Sequence, residues 1–139
     1  TKNEIFDNYF NKPPLSDIKK TRYSPEFLIK LIKKANGIAV LAHPQSLKLD
    51  DKELEIKLTE LISYGLDGLE CYHSKQTPEQ MHTFKALAKK LNLLVTKGSD
   101  YHGPIIKPEV ELGTGKNGNI VSTEEDEILE KLLNYKKLN

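Results

Sequence analysis

Cysteine, methionine and arginine each occur once in these 139 residues, and no apolar run approaches the roughly 20 residues that cross a bilayer. The lone Cys71 excludes an internal disulfide, which fits a reducing cytoplasm, and nothing in the opening TKNEIFDNYF reads as a secretory signal. A cytoplasmic location is therefore expected. Met81 is the one methionine, so the chain has no initiator and the natural protein is expected to start upstream. With Arg22 the single arginine among 21 basic residues, planar bidentate phosphate recognition is scarce. A phosphate bound here would have to be held mostly by metals or backbone. Charged residues make up 29% of the chain but nearly cancel, at a formal net charge of +1, which argues against a basic surface recruiting nucleic acid or anionic lipid. What remains is a chain long enough to bury about two-thirds of the surface its unfolded form exposes, as one domain or a piece of a larger one.

Its pattern is an alternation of amphipathic helices and short apolar strands. Residues 1–23 carry only a brief apolar cluster at Ile5, Phe6, Tyr9 and Phe10, then Pro13-Pro14 and a polar run, as in a helix end followed by a linker. Ser24-Pro25-Glu26 supplies a cap, an N1 proline and a first-turn carboxylate for a helix near 25–35, with Phe27, Leu28, Leu31, Ile32 and Ala35 on one face and Asn36-Gly37 as its stop. The non-alternating run at 38–42 reads as a parallel strand covered on its faces. A second helix near 52–64, striped by Leu54, Leu58, Leu61 and Ile62, ends at Gly65 before a strand near 67–72. A capping box at Thr77-Pro78-Glu79-Gln80 opens a third helix near 78–91, carrying Met81, Phe84, Leu87, Ala88 and Leu91 towards a strand near 93–96. After a glycine-rich loop at 103–121 a last helix near 123–136, capped by Ser122 or Thr123, is expected to bury Ile128, Leu129, Leu132 and Leu133. Repeated helix–strand units of this spacing predict an α/β fold with parallel strands.

In such folds functional groups gather at the carboxyl ends of the strands. There the chain places AHP at 42–44, ECYHS at 70–74 and GSDYHG at 98–103, and with them His43, His73 and His102. His82 falls mid-helix, as a surface residue. The Asp-x-His spacing lets alternate residues of an extended segment point one way, so Asp100 and His102 can share a cation, and neutral imidazole with carboxylate is the donor set of hydrolytic metal sites. Against this stands the plainer reading that Gly-Ser-Asp is turn chemistry and that a His before Pro is a turn residue. Glu70, one step inside its strand, reads either as an outer partner of a ligand or as a buried carboxylate paired with a helix N-terminus. Cys71 reads as a small core residue, since no base is apposed to it in the sequence.

The combination GIAVLAHP at 37–44, GLDGLECYHS at 65–74, GSDYHG at 98–103 and ELG at 111–113 resembles the C-terminal half of the PHP (polymerase and histidinol phosphatase) domain phosphoesterases. The branch it looks closest to is that of bacterial enzymes hydrolysing phosphates of nucleotides and short RNA ends, namely nucleotide phosphatases and 5′–3′ exoribonucleases. The resemblance spans roughly residues 24–115, and the FDNYF and KPP stretches are similar to the junction after that branch's small inserted domain. It implies the C-terminal part of a distorted (β/α)7 barrel, with residues 1–23 a junction from an upstream region and 24–139 the C-terminal half of the domain. It also implies that His43, Asp100 and His102 are ligands of a cluster of divalent ions (Mn, Zn, Fe or Mg). His73 lies where the family varies and takes no role beyond substrate contact. The family's initial His-x-His pair and its other first-half ligands do not occur here, so the chain by itself is expected to bind metal weakly or not at all and to be inactive. The missing half would be its first partner, with self-association as a further expectation. Two rival readings remain open: a PHP enzyme acting on histidinol phosphate or serving as a polymerase-associated exonuclease, which the junction disfavours, and a non-catalytic α/β interaction module with structural histidines.

Overall fold

A computed structural model describes residues 1–19, 21–120 and 125–138. Its centre is a sheet of three parallel strands, β1 (Val40–Leu41), β2 (Gly68–His73) and β3 (Leu94–Gly98), in that spatial order. Val40 pairs with Gly68, and Gly68 with Leu94, so one register runs across the sheet until a bulge between Glu70 and Tyr72. Helices α2 (Pro25–Lys34), α3 (Asp51–Tyr64), α4 (Pro78–Lys90) and α5 (Glu125–Leu138) accompany the strands, after a short α1 (Lys2–Ile5) that runs into a π-helical turn at Phe6–Phe10. The expected parallel α/β alternation is what the chain forms.

The helix signals act as the sequence implies. The Ser24 hydroxyl accepts from Phe27 N with Pro25 in the first turn of α2, and Thr77 and Gln80 close a reciprocal capping box on α4. Asp50 and Glu53 form a second box on α3, which ends in a left-handed Gly65. Burial follows the α3 and α4 stripes: Leu54, Leu58 and Leu61 from one, and Met81, Phe84, Leu87 and Ala88 from the other. Most of these pack on Leu69 and Cys71 of β2. Alternation along β2 therefore sends Leu69 and Cys71 into the helical layer and Glu70 to the opposite, half-buried face, while Tyr72, past the bulge, packs against the core cluster.

In three places the expectation and the fold differ. Of the α2 stripe, Phe27, Leu28, Leu31 and Ile32 remain 39–51% exposed, and only the neighbouring Ile29 is buried. Apart from the Tyr23 ring stacked on Phe27, that side of the helix is left open among the described residues, so a strong amphipathic signal marks a face without marking its cover. On α5, Ile128 is buried but Leu129 and Leu133 are largely exposed, because the helix touches β3 along a narrow line. The glycine-rich loop holds a small antiparallel hairpin of β4 (Val110–Glu111) and β5 (Gly115–Lys116), made possible by positive φ at Gly113 and Gly115. The expected caps Ser122 and Thr123 lie outside the described residues.

The base of the sheet is tied by one carboxylate. Asp67, just before β2, accepts from Lys33 Nζ at 2.7 and 2.9 Å, from Ala39 N at 2.7 Å and from the Tyr135 hydroxyl at 2.5 Å. Burial raises its carboxyl, but these bonds outweigh that and hold it below its ordinary value, while the Tyr135 phenol is pushed up to about 12 chiefly by its bond to Asp67. This cluster joins α2, β1, β2 and α5 at the amino end of the strands. That is the end a β/α barrel gives to stability, leaving the other for chemistry.

Candidate metal centre

At the carboxyl end of the sheet three loops meet. β1 leaves through His43, which takes a left-handed backbone (φ 52°) and begins the 3-10 turn Pro44–Leu47. Asp100, following β3, is also left-handed (φ 60°), so two of the expected site residues hold conformations that few non-glycine residues adopt. His73 closes β2 itself and is 1% exposed. One ligand atom from each of His43, His73 and Asp100 lies within 4.8 Å of the others, and the two imidazole rings are 4.2 Å apart between centroids. The sheet therefore brings His43 and Asp100 together with His73.

His102 stands beside this group, half exposed, with Nδ1 3.6 Å from Asp100 Oδ1. The same Nδ1 lies 2.6 Å from the carbonyl oxygen of Asp100. A carbonyl only accepts, so Nδ1 must carry the proton, and the lone pair of the neutral ring is left on Nε2. An imidazole anchored through one nitrogen to a backbone carbonyl is the usual support of a metal-ligating histidine.

His73 is set the opposite way. Its Nδ1 accepts from the backbone N–H of Lys75 at 3.1 Å, which puts the proton of the neutral ring on Nε2. That atom is buried without a hydrogen-bond partner, with Asp100 Oδ2 at 3.8 Å. Burial holds the His73 pKa below the ordinary value, so the ring is neutral at neutral pH and presents an N–H into the site. Proximity alone groups His73 with His43 and Asp100 as ligands; the hydrogen bond from Lys75 makes it a donor instead.

Glu70 supports the arrangement from the half-buried sheet face. Its Oε2 accepts from His43 N at 2.8 Å, pinning the left-handed residue, and its Oε1 fills the space where a Cβ on Gly98 would sit, at 2.7 Å. This is the outer-partner reading of Glu70, and it gives Gly98 a reason that turn chemistry does not. The buried Gln76 donates from Nε2 to Gln45 Oε1 and to Glu70 O, linking the loops after β1 and β2. Asp100 has a further neighbour that spacing did not suggest. The Lys107 ammonium bonds Oδ2, and this bond above all holds the Asp100 carboxyl below its ordinary value. Cys71 is core, its thiol pushed up to about 12 by burial, and His82 is exposed on α4.

The donor chemistry suits a divalent ion: a carboxylate held ionised at Asp100 and the His43 imidazole in one group, with the His102 ring next to Asp100 but outside the ligand atoms that lie within 4.8 Å of one another. A parallel α/β sheet with such a cluster at its carboxyl end is an arrangement that can house metal-assisted hydrolysis. Comparison with known proteins narrows it. The chain is 34% identical to the 5′-3′ exoribonuclease Rnm of Escherichia coli over 100 residues, which cover 68% of this chain and 33% of that protein. It is 37% identical over 75 residues to a phosphoribosyl 1,2-cyclic phosphate 1,2-diphosphodiesterase of Eggerthella lenta, covering 54% of this chain and 27% of the relative. It also superposes with a TM-score of 0.65 on a solved structure from Bifidobacterium adolescentis described as a metal-dependent phosphoesterase, at 30% identity, covering 96% of this chain and 44% of that one. No family model matches the chain. The chain belongs to the PHP-type phosphoesterases, and it spans about a third of the length of the exoribonuclease it matches.

Proposed function

We propose that this chain is the C-terminal part of a divalent-metal-dependent phosphoesterase hydrolysing phosphate esters of nucleotides or short oligonucleotides, with residues 1–23 as the junction and 24–139 as that part of the domain. The observation that carries this is the meeting of His43, His73 and Asp100 within 4.8 Å at the carboxyl end of parallel strands, with His102 beside them. The relatives lend it their direction, since they are named for an exoribonuclease, a cyclic phosphate diphosphodiesterase and a 3′,5′-nucleoside bisphosphate phosphatase.

His43, Asp100 and His102 would hold the ion, one or more of Mn, Zn, Fe or Mg. Such a cation, when bound, lowers the pKa of water and neutralises charge on phosphoryl oxygens. The chain's own residues do the rest. Asp100 supplies an ionised oxygen, His102 an oriented lone pair, and Glu70 fixes the segment bearing His43. His73 directs Nε2–H inward, where it can donate to an oxygen of the ester and orient it. By itself the chain offers too few ligands for strong binding, and it is expected to be inactive. The apolar side of α2 is then where further polypeptide or a second copy is covered. A cytoplasmic location agrees with the single buried Cys71, and among the described residues no helix is long and apolar enough to cross a membrane.

The test is hydrolysis of a 3′,5′-nucleoside bisphosphate and of a 5′-phosphorylated short RNA by a protein containing this chain within its whole domain. Chelation should abolish activity and a divalent ion restore it. Activity that persists after chelation rejects the mechanism, and a protein without stoichiometric metal points to the non-catalytic module.

A further inference from the structure

The ion pair on Asp100 has a geometry that the proposed chemistry does not use. The two Asp100 oxygens face different neighbours: Oδ1 looks to His102 Nδ1 at 3.6 Å, whereas Oδ2 is bonded by the Lys107 ammonium, with His73 Nε2 at 3.8 Å and Lys75 Nζ at 4.0 Å. Lys107 also reaches the Asp100 carbonyl at 3.4 Å. Its position is built by backbone. Gly103, at φ 89°, turns the chain, and Gly103 O accepts from the N–H groups of Ile106 and Lys107 at 3.2 and 3.0 Å, returning Lys107 to the aspartate seven residues before it. The Lys107 side chain is mostly covered, unlike that of Lys75. The site therefore carries a monovalent cation of its own on Asp100, the carboxylate read here as a metal ligand. Two cations on one carboxylate repel each other, so a divalent ion bound to Asp100 weakens the hold of Lys107 on it and favours its release. Its short tether keeps the displaced ammonium at the rim of the site. Lys75 is the other ammonium near Oδ2, but its side chain is 65% exposed against 23% for Lys107, and the single arginine, Arg22, lies exposed in the junction.

We propose that Lys107 is the resident cation of this site: it neutralises Asp100 in the metal-free protein and, once displaced, is the side chain that binds the substrate phosphate. This rests on the reading that Asp100 is a metal ligand. A lysine suits both states, because its ammonium is a point charge on a flexible stem that can pair with carboxylate or phosphate alike.

The experiment measures Mn²⁺ binding to a protein containing this chain within its whole domain by the electron paramagnetic resonance signal of free Mn²⁺, for the unaltered protein, Lys107→Met and Asp100→Asn. Lys107→Met should bind Mn²⁺ roughly five- to tenfold more tightly, as expected from removing one competing ion pair. In the Mn²⁺-loaded state, inorganic phosphate followed by ³¹P line broadening should bind Lys107→Met more weakly than the unaltered chain by a similar factor. Lys107→Gln serves as a second variant should Lys107→Met not give a cooperative melt by circular dichroism. Equal or weaker Mn²⁺ affinity in the folded lysine variants, or unchanged phosphate affinity in the loaded state, overturns the role of Lys107 while leaving the metal reading intact. Mn²⁺ binding absent from every protein, or unaffected by Asp100→Asn, overturns both.

Discussion

His102 and His73 sit on either side of one aspartate, and the hydrogen bonds at their Nδ1 atoms assign them opposite duties. His102 gives its proton to a carbonyl and keeps a lone pair on Nε2; His73 receives a backbone N–H and keeps the proton on Nε2. The consequence is measurable as metal affinity. Loss of an outer partner typically costs 10–100-fold in affinity, and loss of a ligand should cost more. Asp100→Ala and His102→Ala should therefore reduce Mn²⁺ affinity by more than about 100-fold, whereas His73→Ala stays inside the outer-partner range. Titration calorimetry on the three variants, made in a protein containing this chain within its whole domain, checks this, and a loss at His73 as large as that at Asp100 would make it a ligand. In the whole protein His73→Ala should lower turnover, with partial rescue by Gln, which restores an N–H donor. That His43 and Asp100 would meet at one end of the sheet was legible in the sequence because each leaves a strand of one parallel set, whereas the place of His73 in that group, with His102 beside it, was not. The tautomers were not, since they depend on which backbone group faces each ring. Lys107 was not legible either: seven residues separate it from Asp100, and only the turn at Gly103 closes the distance.

Among the elements, the helix caps and the strand order followed from residue chemistry, because a cap needs only neighbours in sequence. Asp50→Ala, which opens the α3 capping box, should cost about 1 kcal/mol of stability in a urea melt. The tie at Asp67 is the long-range counterpart. Removing its carboxylate strands Lys33, Ala39 N and Tyr135, so Asp67→Ala should cost roughly 3 kcal/mol, as for a covered hydrogen-bonded charge that loses its partner. The pH dependence has a definite sign. The folded Asp67 carboxyl lies below its ordinary value of 3.8, so its contribution is fully present above the unfolded pKa and is lost as pH falls through the folded one. Asp67→Asn should therefore flatten the acid limb of the stability profile below about pH 4, leaving the remainder parallel to that of the unaltered protein. Urea titrations at stepped pH would show it, and an unchanged acid limb would mean that the Asp67 carboxyl titrates alike in both states. The β4–β5 hairpin was hidden in the sequence by its brevity, since pairs of two-residue strands leave no periodicity to read.

For the molecule as a whole, the question is what covers the surface that the fold leaves apolar. Phe27, Leu28, Leu31 and Ile32 share a side of α2 with Tyr23, whose ring stacks on Phe27 at 5.0 Å, and Ile5, Phe6, Tyr9 and Phe10 are likewise exposed in the amino-terminal turns. Periodicity identified the α2 face as apolar because it records what a helix must bury, and it was silent on the partner because that need not lie within the same stretch of chain. The solved phosphoesterase is more than twice as long, 44% of it being covered by this chain, and the matched stretch makes up 33% of the Escherichia coli exoribonuclease. A surface of this kind, offered alone in solution, gains about 1.5–3 kcal/mol for each large apolar side chain fully buried, enough for several together to drive association at accessible concentrations. Sedimentation of the unaltered chain should then show mass rising with concentration. Leu31→Glu should shift that equilibrium towards monomer with little change in the urea midpoint, because Leu31 is half exposed and contributes little to the monomer's own core. The double reading matters: a variant that lost both association and stability would place Leu31 in the core, and an unaltered chain that stayed monomeric at high concentration would mean that the α2 face is tolerated by water as it stands.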